Sequence, residues 1–106
     1  MRILLDECVP ARLGRELVGH EVRTVPEMGW ASQTNGELLA LAEGKFEVFL
    51  TTDQRISYQQ AVRRLDIALV VLVTRRNKME FLLRLLPELR RTLGIVKPGH
   101  VHRVGA

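Results

Sequence analysis

Met1-Arg2-Ile3-Leu4-Leu5-Asp6-Glu7 opens the chain with three consecutive aliphatic residues followed at once by two carboxylates. An unbroken apolar run this short is the pattern of a strand buried on both faces, which is how strands of a parallel sheet read. In open α/β sheets, ligand sites form just outside the carboxyl ends of such strands. Asp6 and Glu7 stand where that end is predicted.

Working outward, the chain alternates strand-like and helix-like segments. Pro10, Leu13, Leu17, Val18 and Gly19 predict a helix with a proline start and a glycine stop. Glu21 to Val25 alternates polar and apolar residues, as a strand near an edge does, and Pro26 ends it. Thr34-x-x-Glu37 is a capping box opening a helix that runs through Leu38, Leu41 and Ala42 to Gly44. Phe46 to Leu50 predicts a third strand, leading through Thr51 and Thr52 to Asp53. Ser57 and Gln60 suggest another capped helix, through Val62 and Leu65. Ile67 to Val73 is seven apolar residues rich in β-branched types, the clearest strand of all. Asn77 and Glu80 suggest a third box before a long apolar periodicity, which Pro87 should kink or restart. Val101 to Val104 completes the pattern as a short last strand. Repeated β-α units build a parallel sheet covered on both faces. The expected fold is therefore a three-layer α/β/α sandwich with a mainly parallel sheet of four or five strands. For Asp6 and Asp53 to meet, strands one and three must be neighbours, with strand two outside strand one.

Length and composition set bounds. A chain of 106 residues is expected to form one domain, residues 1–106, burying about two-thirds of its unfolded surface. The composition, 46% hydrophobic and 26% charged, argues against disorder. A formal charge of +4 favours a polyanionic partner. Cys8 is the only cysteine, which excludes an internal disulfide and a thiolate zinc cluster. No apolar run approaches the ~20 residues of a spanning helix and no signal-peptide pattern is seen, so a cytoplasmic protein without membrane contact is expected.

Residues just after each parallel strand share one sheet edge. That edge would collect Asp6 and Glu7, then Glu37 from the first turn of a helix, then Asp53, then Thr74, Arg75 and Arg76. Clustered carboxylates repel unless a cation compensates. An all-oxygen set suits a hard ion, Mg²⁺ or Mn²⁺. Such ions activate water and clamp the oxygens of a phosphoryl displacement, while paired guanidinium groups hold phosphate. Each residue alone also has an ordinary explanation. Glu37 is fully accounted for by its capping box, Asp53 by a turn, and Glu7 by a helix N-terminal charge. Arg75 and Arg76 read equally as a solvated pair. The convergence of Asp6, Glu37 and Asp53 carries the case.

Three segments together resemble the small PIN-like proteins, compact relatives of PIN-domain ribonucleases. They are Met1 to Glu7, the Asn35-Gly36-Glu37-Leu38-Leu39-Ala40-Leu41-Ala42-Glu43 helix, and Leu50-Thr51-Thr52-Asp53 followed by Tyr58-Gln59-Gln60. The resemblance implies a PIN-like fold, a Mg²⁺ or Mn²⁺ site and RNA cleavage, in the setting of a toxin–antitoxin pair. By position it makes Asp6, Glu37 and Asp53 the catalytic and metal-binding acids, with Glu7 a fourth member. The partners to expect are RNA, bound through Arg55, Arg75 and Arg76, a protein antitoxin, and a second copy in a homodimer. Two positions depart from the family pattern. Asn35 stands where many relatives carry an acid, and Arg55 where relatives often carry Asn soon after the third acid. Arg55 is thus placed either to contact substrate phosphate or to compete with the metal. Two other classes fit parts of the pattern. A phospho-receiver also has acids after strand one, an Asp after strand three and a Thr after strand four, but needs a Lys after strand five, whereas Lys97 precedes it. A PIN-like module that binds RNA or protein without catalysis is the remaining alternative.

Overall fold

The computed structural model describes residues 1–105. Five strands form one sheet: β1 (Arg2–Leu5), β2 (Glu21–Thr24), β3 (Val48–Thr51), β4 (Ala68–Leu72) and β5 (Val101–Val104). Their order is β2-β1-β3-β4-β5, and every pairing is parallel. β1 lies between β2 and β3, as the meeting of Asp6 and Asp53 requires.

Side-chain alternation divides the sheet into two faces. Ile3, Leu5, Val48, Leu50, Val70 and Leu72 point to one side, where they pack with Leu13, Leu82, Leu89 and Leu93. Those partners come from a 3₁₀ helix (Ala11–Glu16) and from α3 (Met79–Leu83) and α4 (Leu86–Leu93). Leu4, Phe49, Leu69 and Val71 point to the other side, onto Leu38, Leu39, Ala42, Tyr58 and Val62 of α1 (Asn35–Ala42) and α2 (Ile56–Val62). The three layers are thus helices, sheet, helices. β1, β3 and β4 are buried almost throughout, and this is why they read as unbroken apolar runs. β2, an outer strand, alternates exposed and half-buried residues.

Several local expectations are corrected. The segment after Pro10 is a six-residue 3₁₀ helix rather than an α-helix reaching Gly19. Gly14 sits inside it against the sheet, where an added Cβ would meet Val22 Cγ1 at 2.9 Å. α2 starts at Ile56 with Arg55 as its cap residue, and Ser57 takes no capping role. Its hydroxyl accepts instead from Asn35 Nδ2 at 3.0 Å. Asn77 does not cap α3 either; its amide donates to the Cys8 carbonyl, and Lys78 is the cap residue. Pro87 restarts the helix: α3 stops at Leu83 and α4 begins at Leu86 with the proline in its first turn.

The last strand is pinned at its exit. Gly105 adopts φ +86, and a Cβ there would lie 2.4 Å from the Val73 carbonyl oxygen and 2.7 Å from Leu85 Cδ2. Backbone cannot give way as a side-chain tip can. Gly105→Ala should therefore destabilise by about 1–3 kcal/mol, read as a lower urea midpoint. An unchanged midpoint would show that the terminal turn simply detaches.

Candidate active site

Asp6 follows β1 directly, and its own N–H still bonds Leu50 O at 2.9 Å, so sheet pairing fixes its backbone. Its side chain is only 8% exposed. A carboxylate buried that far needs donors, and it has them. Oδ2 accepts from Thr51 Oγ1 at 2.7 Å, from Tyr58 Oη at 3.2 Å and from Cys8 Sγ at 3.5 Å. Oδ1 accepts from the Glu7 N–H at 2.9 Å. Burial first, and then the Asp6 charge, push the Tyr58 phenol well above its usual range, so it stays a proton donor.

Thr51 joins the two acids. It is fully buried at the end of β3, donates to Asp6, and accepts the Asp53 N–H at 2.9 Å through the same oxygen. The turn after β3 thereby places Asp53 beside Asp6 at the carboxyl edge. Both line a cleft of about 360 Å³ with Glu7, Asn35, Arg55 and Tyr58.

Asp53 is engaged by a single neighbour. Its Oδ1 accepts the Arg55 N–H at 2.8 Å, and its Oδ2 accepts Arg55 Nε at 2.8 Å and lies 2.7 Å from Nη2. The Arg55 side-chain hydrogen bond is the main cause holding this carboxyl below its usual range, against an opposing effect of burial.

Glu37 does not join this cleft. At roughly 100° per residue, positions 35 and 38 of α1 share a face, while position 37 is turned about 200° from position 35. Asn35 and Leu38 accordingly line the cleft, and Glu37 is exposed. Its backbone N–H donates to Thr34 Oγ1 at 3.4 Å, so Thr34 caps α1. The three-acid set Asp6, Glu37 and Asp53 is therefore not assembled. Among the described residues, no three His, Cys, Asp or Glu side chains are grouped to hold a metal ion. Arg75 and Arg76 are exposed in the turn after β4 and do not line the cleft.

The donors present nevertheless suit a hard cation held in a different way. Mg²⁺ is commonly bound by one or two carboxylates, several waters and substrate phosphate rather than by an all-protein cage. Asp6, Asp53 and Glu7, with the amide oxygens of Asn35 and Gln33, supply oxygen chemistry of that sort. These are the donor types that Mg²⁺ or Mn²⁺ takes, and in this structure Arg55 holds Asp53 Oδ2.

Sequence reasoning assigns no role to Tyr58 or Thr51. Thr51 is the polar terminus of an otherwise apolar strand, and Tyr58 lies one helical turn before Val62 on the buried face of α2. Those two patterns are the signals that point to them.

A parallel sheet of this order with an acidic carboxyl edge is compatible with both the nuclease and the receiver readings. The choice between them comes from the sequence as a whole. The PIN-like domain family matches residues 1–74, from β1 to just beyond the end of β4. The chain belongs to the PIN-like domain family. That family suggests a nuclease-type superfamily, and PIN domains generally use divalent metals. No curated protein and no solved structure matches the chain. The receiver alternative fails on its lysine as well, because Lys97 precedes β5 and so falls at the opposite sheet edge. No helix among the described residues is long and apolar enough to cross a membrane.

Proposed function

We propose that the cleft at the carboxyl edge hydrolyses phosphodiester bonds in RNA with Mg²⁺ or Mn²⁺. The observation that carries this reading is the buried Asp6 carboxylate, tied through one threonine hydroxyl to Asp53 at the mouth of the same cleft. Carboxylates are rarely buried, and the carboxyl edge of an open α/β sheet is where ligand sites form. When bound, the cation would supply Lewis-acid activation of water and charge neutralisation at phosphate. The chain's own part is to hold the two acids at fixed separation from the sheet, to keep Tyr58 protonated against Asp6, and to offer guanidinium groups to the RNA backbone. Arg55 is at the cleft, and Arg75 and Arg76 form an outer basic turn on the strand beyond it. A toxin role with a protein antitoxin rests on the family resemblance alone.

A second reading has its own observation. With Asp53 neutralised by Arg55 and Glu37 turned away, the cleft also suits a non-catalytic RNA-binding PIN-like module.

The test is cleavage of single-stranded RNA by the purified chain with Mn²⁺ and with EDTA. Mn²⁺-dependent cutting is expected. Metal-independent RNA binding without cleavage would establish the second reading. In either case binding should weaken as salt rises. Changing Arg75 and Arg76 together to Ala should flatten that salt dependence by roughly one unit of slope for each phosphate the arginines engage.

A further inference from the structure

Arg55 is an unusual neighbour for an acid expected to bind a cation. Its guanidinium takes Asp53 Oδ2 through Nε and Nη2, and its backbone N–H takes Oδ1, so residue 55 engages both oxygens. Nothing else in the local fold uses this side chain. It stands at the cap position of α2 without making a side-chain cap. The pair is also asymmetric: the Asp53 side chain is 14% exposed, whereas that of Arg55 is 73% exposed. The acid is fixed by Thr51 and the turn, while the base is free to swing into solvent.

We propose that Arg55 is a resident counter-ion that occupies the cation's place on Asp53 and hands it over when an RNA phosphate takes the guanidinium. The inference rests on the nuclease reading of the cleft and adds regulation to it. A guanidinium gives charge-assisted bonds to carboxylate and phosphate oxygens alike, so it can exchange one for the other without losing them. That exchange frees Asp53 Oδ2 without leaving the guanidinium unpaired. Metal and RNA then favour each other's binding, because each relieves what the other must displace, and the coupling is reciprocal. Without RNA, the cleft keeps a low affinity for free divalent cations.

The test is calorimetric titration of Mn²⁺ into the full chain without RNA, comparing wild type, Arg55→Ala and Arg64→Ala. Arg64 is exposed beyond the end of α2, so its loss changes net charge equally without touching Asp53. Loss of an exposed ion pair that competes with the metal should tighten Mn²⁺ binding about two- to fivefold in Arg55→Ala. Arg64→Ala should stay within experimental error of wild type. Equal Mn²⁺ affinity in wild type and Arg55→Ala overturns the counter-ion role while leaving the nuclease reading intact. Equal tightening in both variants also overturns it, because bulk charge would then explain the gain. No Mn²⁺ binding by any of the three overturns the metal-dependent reading and the counter-ion role with it.

Discussion

Asp6→Asn should abolish Mn²⁺-dependent RNA cleavage, by at least about 100-fold, and should also destabilise the fold. The second effect separates this position from most acidic sites. Replacing an acid by its amide often stabilises a crowded carboxylate cluster, because repulsion is relieved. Here the crowding is slight, since Arg55 already neutralises Asp53. Thr51 Oγ1, Tyr58 Oη and Cys8 Sγ donate to one oxygen of the carboxylate, and the Glu7 N–H donates to the other. An amide NH₂ turned toward Glu7 meets an N–H that can only donate, and turned the other way it loses the charge-assisted bonds of the two hydroxyls, which must reorient to accept; a mismatch of this kind in a buried site costs about 1–3 kcal/mol. That conflict outweighs the relieved repulsion. Thr51→Val provides the control. It removes the hydroxyl shared by Asp6 and Asp53 but keeps both charges, and it should cost a similar amount by urea unfolding. If Asp6 is purely structural, both variants lose stability and both still cut RNA in proportion to their folded fraction. That result would remove Asp6 from the catalytic machinery.

The sheet is legible in the sequence because its signal is redundant. β1, β3 and β4 are buried on both faces, and no helical periodicity imitates three such runs separated by helical segments. The carboxyl edge follows from topology, which brings Asp6 and Asp53 together. Sequence reasoning groups Glu37 with Asp6 and Asp53, and the structure leaves it outside the cleft for a geometric reason. The same capping box that locates the start of α1 goes with a rotation of that helix that turns position 35 into the cleft instead of position 37. The box indicates where the helix begins and leaves its facing undetermined. The 3₁₀ segment reads as an α-helix because Leu13 and Leu17 fit a helical period equally well, while the close approach of Gly14 to Val22 depends on a tertiary contact. Arg55 is ambiguous in the sequence between metal competitor and phosphate ligand. The structure shows its contact with the acid, and the exchange proposed above joins that contact to phosphate binding.

Asp53→Asn is expected to give the opposite combination from Asp6→Asn: cleavage lost by at least about 100-fold, with a fold close to wild type. Asn retains the oxygen that accepts the Arg55 N–H, so the turn survives, and Asn suits such turns almost as well as Asp. What disappears is the ion pair with a largely exposed guanidinium, and pairs of that kind contribute little. In EDTA at neutral pH, the melting temperature should fall by no more than about 5 °C. Its pH dependence identifies the source. The Arg55 hydrogen bond, chiefly, holds the Asp53 carboxyl below the ordinary aspartate range. A depressed acid contributes stability that is complete above its unfolded value and is lost as pH falls through the folded value. The difference between wild type and Asp53→Asn should therefore be constant from about pH 5 to 8 and should shrink only below about pH 4. A difference that changed between about pH 5 and 8 would point to another titrating group and remove Arg55 as its cause. Adding Mn²⁺ should raise the melting temperature of wild type and leave Asp53→Asn unmoved, because the variant lacks the second carboxylate. A variant that gains as much from Mn²⁺ as wild type, or that cuts RNA at the wild-type rate, would show that Asp53 serves only the turn.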